Sequence, residues 1–260
     1  RISGDSPRWL ADHRVFGQTV FPGTAFVEMM VAASVELDSQ LVDISISTPL
    51  VLSEGQEVTV QTTLGEIAAD AEQTISIYSQ QGSTDEWTLH AQGKFSPGAT
   101  YPVSEWTSEL PPADASPMDL EDLYPSLHDK GLEYGPSFQG FKSAWQSDGV
   151  TWARLELPSV VGDEESYEIH PALLDASLHG VALAAAELGD EESLYLPFGL
   201  SSFSLWKPAP RRVWIKIDAV EQQAQTLKTS FVLYDDGGNA IGEGKEIQLK
   251  KADLQALRRA

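Results

Sequence analysis

The sequence predicts an α+β fold in which each half of the chain packs an antiparallel sheet against one long apolar helix. Two observations support this prediction. Each half contains a proline followed by an apolar run of helical length, and after each run come short segments in which apolar and polar residues alternate. The 260 residues suffice for one large domain or two small ones with a substantial core.

The first predicted helix begins at Pro22 and continues to residue 37. Proline suits the first helical position, because its missing N–H would have no partner inside the helix there. The side chains that follow are apolar on nearly every side, which is typical of a helix buried within a larger core. In its first turn, the free N–H groups of Gly23, Thr24 and Ala25 offer a site for a developing negative charge.

Four alternating segments follow this helix and are separated by turn residues. They are predicted to be antiparallel strands over residues 44–48, 57–64, 73–78 and 87–95. A long apolar helix followed by such strands indicates a sheet wrapped round a helix, which is the hotdog arrangement. Ahead of the helix, Trp9-Leu10-Ala11 is predicted to be a strand or an extended approach to His13.

The second half repeats this plan. It contains a short predicted helix over 119–130, strands near 138–145 and 150–157, and a second apolar helix from Pro171 to residue 188, with Gly189 suited to its C-terminal cap. Four further strands are predicted at 200–206, 213–220, 226–234 and 240–249. Two such units in one chain predict a double hotdog.

A proline-rich stretch divides the chain. Residues 97–118 lack clear periodicity and contain Pro97, Pro102, Pro111, Pro112 and Pro117, which is typical of a linker. We therefore expect an N-terminal hotdog over 1–96 and a C-terminal hotdog over 119–260, together forming one catalytic domain.

Composition excludes several classes of function. The net charge of −22 argues against direct binding to nucleic acid or to an anionic membrane, since both are polyanions. The absence of cysteine removes disulfides, thiolate zinc sites and thiol nucleophiles. No apolar run reaches membrane-spanning length and nothing is typical of a signal peptide, so we expect a cytoplasmic location for what looks like a piece of a longer protein.

Three residues form the candidate catalytic set. His13 precedes the first helix, and Asp175 and His179 lie four residues apart on one face of the second. Asp175 is flanked by leucines and alanine, and the resulting desolvation is expected to raise its pKa and keep it protonated as a general acid. The alternative is a structural carboxylate at a helix start, where it suits the helix dipole.

Four motifs resemble those of the dehydratase domains of modular polyketide synthases. They occur in the family's order between Trp9 and Lys251: H-x-x-x-G-x-x-x-x-P at His13, Gly17 and Pro22; Y-G-P-x-F at Tyr134, Gly135, Pro136 and Phe138; H-P-x-x-x-D-x-x-x-Q/H at His170, Pro171, Asp175 and His179; and L-P-F at Leu196, Pro197 and Phe198. One departure is the absence of the family's leading H-P-L strand, so the first sheet is expected to be incomplete in this numbering.

The resemblance implies a reaction. Its substrate would be a β-hydroxyacyl thioester on the phosphopantetheine arm of an acyl carrier protein, and its product an enoyl thioester. His13 would be the base, Asp175 the acid and His179 its holder. The N–H of Gly23 would stabilise the thioester oxygen, and Tyr134 would line the channel or serve a structural role. His170 would fix the turn into the helix.

The same resemblance implies partners. These are the carrier protein, other domains of the same synthase and a second copy in a homodimer. No cofactor or metal is implied. A zinc site formed by His13, Asp175 and His179 is conceivable from the spacing of the last two, but the elimination needs no metal.

Other functions remain open at this stage. A related double-hotdog domain could shift a double bond or close a pyran ring, and a hotdog thioesterase could hydrolyse the thioester. A decayed domain kept as a spacer is the non-enzymatic alternative, against which the intact His13 and Asp175 argue. The remaining histidines, His90 and His128, are expected to be structural or solvent-facing.

Overall fold

The computed structural model describes residues 1–34, 39–82, 85–98, 110–162, 166–186, 195–223 and 226–251. In its first half, a 3-10 helix (Arg8–Asp12) leads into a short hairpin, a long helix and the first strands of a large sheet. These elements are β1 (His13–Val15), β2 (Gln18–Val20), α1 (Gly23–Ser34), β3 (Ser39–Ile46), β4 (Val51–Leu52), β5 (Val58–Ile67), β6 (Gln73–Gln81) and β7 (Thr88–Pro97).

The second half contains two more α-helices and the remaining strands. In chain order they are β8 (Ser116–Pro117), α2 (Leu123–Asp129), β9 (Leu132–Tyr134), a 3-10 helix (Pro136–Phe138), β10 (Phe141–Ser147), β11 (Val150–Glu156), α3 (Pro171–Ala186), β12 (Tyr195–Leu205), β13 (Arg212–Ile217), β14 (Glu221–Gln223), β15 (Thr226–Tyr234) and β16 (Ala240–Lys251).

One antiparallel sheet runs through both halves. Its strands follow the order β5-β6-β7-β3-β12-β16-β15-β13-β11-β10-β8, and β14 pairs with β15. The halves join where β12 pairs with β3, in a register that sets Phe203 opposite Leu41. The α+β prediction is confirmed, and within the described residues the two halves share a sheet as well as a core.

The two long helices pack against opposite ends of this sheet. Helix α1 contacts β3, β5 and β7, helix α3 contacts β10, β11 and β13, and the helices contact each other. Their apolar side chains are almost fully buried, including Phe26, Met30, Leu173 and Val181. Burying each such side chain contributes about 1.5–3 kcal/mol, so this packing dominates the stability of the domain.

The helix predictions are largely confirmed, although α2 begins at Leu123 and not at residue 119. Helix α1 begins at Gly23, one residue after Pro22, and it carries a buried carboxyl group, Glu28, on a helix expected to be apolar almost all round. The predicted ends at Leu37, Leu188 and Gly189 lie outside the described residues. Within the described residues, no helix is long and apolar enough to span a membrane.

A second, four-stranded sheet was not predicted. It has the order β4-β2-β1-β9 and joins the two halves, because β1 pairs with β9. The β1–β2 turn places Phe16 and Gly17 at φ 49° and 78°, and glycine adopts such positive values without steric cost. The approach to His13, expected to be extended, is a 3-10 helix. Strands of two or three residues are too short to show an alternation in sequence.

The linker at 97–118 and the division into two units stay predictions, since residues 99–109 lie outside the described part of the chain. At its described end, β8 pairs with β10 of the large sheet.

Gly131 provides a test of this packing. It follows α2 with φ +89°, and a Cβ there would lie 2.2 Å from the ring of Phe16. We expect Gly131→Ala to lower the free energy of unfolding by about 1–3 kcal/mol, from backbone strain and overpacking. The control is Gly162→Ala, whose Cβ would meet nothing within 4 Å. Denaturant unfolding measures the stability of both variants. Equal free energies of unfolding would contradict the close packing of Gly131 against Phe16.

Candidate active site

The starts of α1 and α3 face one cavity of about 270 Å³. Its lining comes from both halves of the chain and is mostly apolar. It includes five of the predicted site residues: His13, Gly23, Tyr134, Asp175 and His179. The other predicted site residues do not line the cavity, so any effect they have on the site is exerted through neighbouring residues. They are Gly17, Pro22, Gly135, Pro136, His170 and Pro171.

His13 is held at the first position of β1. Its Nδ1 lies 2.8 Å from the carbonyl oxygen of Val20. A carbonyl can only accept, so Nδ1 carries the proton and Nε2 keeps its lone pair in the neutral ring. The rings of Tyr134 and Phe138 lie 5.6 and 5.0 Å from it, centroid to centroid.

Burial keeps this imidazole uncharged. It lowers the pKa of His13 below the ordinary value, and this outweighs the opposing effects of the Asp175 charge and the hydrogen bond to Val20. His13 is therefore a neutral histidine with a free Nε2 at neutral pH, which is the form that accepts a proton.

Asp175 lies one turn into α3 and is 3% exposed. Its carboxyl group accepts hydrogen bonds from the Thr24 hydroxyl at 3.3 Å and from His179 Nε2 at 3.1 Å. These partners come from α1 and α3, so both long helices fix the orientation of one carboxyl group.

The expected protonation state of Asp175 is wrong in direction. Burial does raise its pKa, but the hydrogen bonds from His179 and Thr24, together with the positive charge of either imidazole when it is protonated, lower the pKa below the ordinary value. The leucines seen in sequence predict desolvation correctly. The donor on the same helix, His179, is visible in the sequence spacing, whereas the Thr24 hydroxyl comes from α1 and is not.

His179 donates to Asp175 through Nε2, while its buried Nδ1 has no hydrogen-bond partner among the residues that the structure describes. A doubly protonated ring would place an N–H donor at Nδ1 with nothing to receive it, and an unsatisfied buried donor costs about 1–3 kcal/mol. The geometry therefore favours the neutral ring with its proton on Nε2.

Tyr134 is partly buried and lies beside both candidate groups. Its ring centroid lies 4.2 Å from that of His179, and its backbone pairs with His13 across β1 and β9. Burial and the nearby carboxyl group raise the pKa of the Tyr134 hydroxyl well above its usual range. Tyr134 thus lines the cavity and packs against His179.

The turn after Tyr134 is tied to the residue before His13. The N–H of Gly135 donates to the Asp12 carbonyl at 2.8 Å, and that of Ser137 donates to the Asp12 carboxyl at 2.9 Å. A Cβ on Gly135 would lie 2.3 Å from Asp12 Oδ1, so this close approach requires glycine. Pro136 begins the 3-10 helix that follows.

His170 and Pro171 form the start of α3. The Nδ1 atom of His170 accepts the N–H of Ala172 at 3.1 Å, and Pro171 needs no N–H partner. Burial lowers the pKa of His170 to about 4, so the ring stays neutral and Nδ1 remains an acceptor.

The side-chain roles of two residues of α1 were missed. The hydroxyl of Thr24 shares its one proton between the Pro171 carbonyl and the Asp175 carboxyl group, and Glu28 accepts two backbone N–H groups from the segment before α3. The available signal was a polar residue within an otherwise apolar helix, at positions four apart. No group of three or more His, Cys, Asp or Glu side chains in the described ranges is arranged to hold a metal ion.

The cavity and its polar groups define a double-hotdog protein with a histidine and an aspartate facing one apolar chamber. Two family models match the chain: "Polyketide synthase dehydratase domain" over residues 1–80 and "Polyketide synthase dehydratase N-terminal domain" over 104–259. The chain therefore belongs to the polyketide synthase dehydratase domain family.

Among curated relatives, Polyketide synthase GfsB of Streptomyces halstedii is 34% identical over 96% of this chain. The chain spans 5% of the length of GfsB, so the match is to a small part of a large synthase.

Solved structures agree with this assignment. The dehydratase domain from the CurK module of curacin polyketide synthase matches with a TM-score of 0.87 and 27% identity, over 98% of this chain and 92% of that one. The erythromycin dehydratase matches with a TM-score of 0.83 and 28% identity, over 95% and 88%. Two CurK variants, one with histidine changed to phenylalanine and one with aspartate changed to asparagine, are described as inactive mutants. The double-hotdog prediction is confirmed.

The hydrogen bond from Thr24 can be tested directly. Because this bond lowers the pKa of Asp175, we expect Thr24→Val to raise that pKa. The measurement is the carboxyl ¹³C shift of Asp175 across a pH titration. Ser177→Ala is the matched control, since Ser177 is buried on the same helix as Asp175 and its hydroxyl has no hydrogen-bond partner among the described residues. An unchanged Asp175 titration in Thr24→Val would contradict the assigned bond.

Proposed function

We propose that this domain eliminates water from a β-hydroxyacyl thioester carried on the phosphopantetheine arm of an acyl carrier protein, leaving an α,β-unsaturated thioester. One observation carries the proposal: a neutral histidine with a free Nε2 and a buried carboxyl group line the same apolar cavity. Elimination needs a base and an acid acting on neighbouring carbons of one substrate.

His13 would remove the α-proton through Nε2. The Nδ1–H bond to Val20 supports this role, because it fixes the tautomer and aims the lone pair away from the backbone. Loss of the α-proton places negative charge on the thioester oxygen. The N–H of Gly23, at the start of α1 and in the cavity lining, would stabilise that charge.

Asp175 would supply the proton that leaves with the β-hydroxyl group as water. Its lowered pKa makes the protonated acid the minor form at neutral pH, so the rate is expected to fall as the pH rises. His179 and Thr24 would hold the carboxyl rotamer while the proton is transferred. His13 gains one proton as Asp175 loses one, so the number of protons on the enzyme is unchanged and no other reactant is consumed.

The inactive CurK variants support the choice of these two residue types, since one histidine and one aspartate were changed there. The apolar walls suit an acyl chain and include Phe21, Phe26, Ile46, Leu178, Leu196 and Leu249.

We also infer partners for the domain. They are the carrier protein and the other domains of a synthase, in a homodimer in the cytoplasm. The short match to GfsB supports the second of these, because a domain that matches a small part of a large synthase has neighbours in the same chain.

The rival activities differ in the mass of the product. A synthetic β-hydroxyacyl carrier protein would lose one water on dehydration, keep its mass if the domain acts only as an isomerase, and release a free acid on thioester hydrolysis. Closure of a pyran ring adds a hydroxyl group to the enoyl product without a further change of mass, so it would also show the loss of one water. Mass spectrometry of the carrier-bound and released products therefore separates dehydration from isomerisation and hydrolysis. A product of unchanged mass, or a free acid, would refute the proposed dehydration.

The first kinetic prediction concerns the base. We expect His13→Ala to lower the dehydration rate by about 10²–10⁴-fold, the usual contribution of a general base. His128→Ala is the control, since His128 is exposed on α2 and should leave the rate unchanged. Mass spectrometry gives the rate and circular dichroism shows whether the variant is folded. A folded His13→Ala protein with near-normal turnover would rule out this assignment.

The second kinetic prediction concerns the partner of Asp175. Glutamine at position 179 keeps an N–H donor and never ionises, whereas leucine removes the donor. We expect His179→Gln to retain most activity, His179→Leu to lose much of it, and Asp175→Asn to lose nearly all. Single-turnover rates of folded variants give the order. Equal damage from glutamine and leucine would show that His179 is not an orienting donor.

A further inference from the structure

A second buried carboxyl group lies on α1 and has no place in the reaction above. Glu28 is 4% exposed and does not line the cavity. Its two carboxyl oxygens accept the backbone N–H groups of Glu168 at 3.0 Å and Ile169 at 3.1 Å. These residues immediately precede the start of α3, so a side chain of one helix holds the approach to the other.

Glu28 and Thr24 act on the same segment. They are four residues apart and therefore share a face of α1. Thr24 donates to the Pro171 carbonyl at 3.2 Å, while Glu28 accepts from residues 168 and 169. The segment 168–171 is thus bonded to α1 through both its N–H and its C=O groups. A hydrogen bond of 2.7 Å from the Ala209 N–H to the Glu168 carbonyl ties it also to the connection between β12 and β13.

We propose that Glu28 is a positioning residue, which holds segment 168–171 against α1 and so fixes Asp175 relative to Gly23 and Thr24. Its kinetic consequence rests on the proposed dehydration. Asp175 lies four residues after Pro171, about one helical turn from the segment that Glu28 holds. A shift of this segment would move the acid on α3 relative to the base on β1.

The strength of this contact depends on ionisation. A carboxylate offers an acceptor to both N–H groups, whereas a protonated carboxyl group turns one oxygen into a donor. Burial raises the pKa of Glu28 to about 7, the two N–H groups lower it, and the charge of Glu168 raises it.

Ionisation of Glu28 strengthens its hydrogen bonds to the two N–H groups but lowers the stability of the fold. Between the ordinary pKa of 4.5 and the folded value of about 7, the folded chain holds the proton more tightly than the unfolded chain. Glu28 therefore stabilises the fold less as the pH rises through this window. The ionised state costs stability while completing both hydrogen bonds, which is expected of a group kept for positioning.

Two variants test the proposal. Glu28→Gln keeps the shape but cannot ionise, and it mimics the protonated state. Glu168→Gln removes the neighbouring charge and leaves the backbone N–H groups in place. The first measurement, which needs no activity, follows the amide ¹H and ¹⁵N shifts of Glu168 and Ile169 between pH 5 and 9.

We expect the two amides of the wild-type chain to titrate with a midpoint near the pKa of about 7. This titration should be absent in Glu28→Gln and should move to lower pH in Glu168→Gln. Flat amide shifts in the wild-type chain, or an unchanged titration in Glu28→Gln, would overturn the assigned contact.

The second measurement is the ratio of kcat for Glu28→Gln to that of the wild-type chain. We expect it to be close to one well below pH 7 and to fall by about 10- to 100-fold above pH 8, with KM unchanged, because misplacement of about 1 Å costs a catalytic group this much. A ratio that stays at one, or a loss confined to KM, would overturn the positioning role. If the wild-type chain forms no enoyl product, the proposed function fails, and the contact is then decided by the amide titration alone.

Discussion

The buried polar contact between the starts of α1 and α3 is the interaction on which the site depends. The hydroxyl of Thr24 reaches the Pro171 carbonyl and Asp175, and the carboxyl of Glu28 reaches the backbone two residues earlier. Leaving any of these buried groups without a partner would cost about 1–3 kcal/mol. The apolar faces alone would tolerate several helix registers, so these hydrogen bonds select one. That register sets the two helix starts on a common cavity.

Burial and hydrogen bonding act differently on the two candidate catalytic groups. Burial is the largest influence on both His13 and Asp175. It prevails at His13, whose ring is hydrogen-bonded to the Val20 carbonyl, and it leaves a neutral base. It is outweighed at Asp175, where hydrogen bonds from His179 and Thr24, and the positive charge of either imidazole when it is protonated, stabilise the carboxylate. Two groups in one cavity thus differ in which influence prevails, and this difference is set by the number of partners.

The small sheet is the second constraint on the site. His13 occupies its position because β1 pairs with β9, and because Asp12 is bonded to the turn at Gly135 and Ser137. The base therefore belongs to the first half by sequence and is fixed by strands of both. The acid lies on a helix of the second half and is held by Thr24 of the first. Neither half therefore contains a complete site, and the site forms only where the two halves pack together.

The sequence by itself determined the two buried helices, most strands of the large sheet and the choice of His13, Asp175 and His179 as candidate site residues, because apolar periodicity and motif spacing are local properties. The pairing of β1 with β9 and the contacts of Thr24 and Glu28 were decided only by the tertiary structure, because each joins groups more than 100 residues apart in the chain. The direction of the Asp175 pKa shift depends on both: the hydrogen bond from His179 is visible in the sequence spacing, whereas the hydrogen bond from Thr24 reaches the carboxyl group across the core.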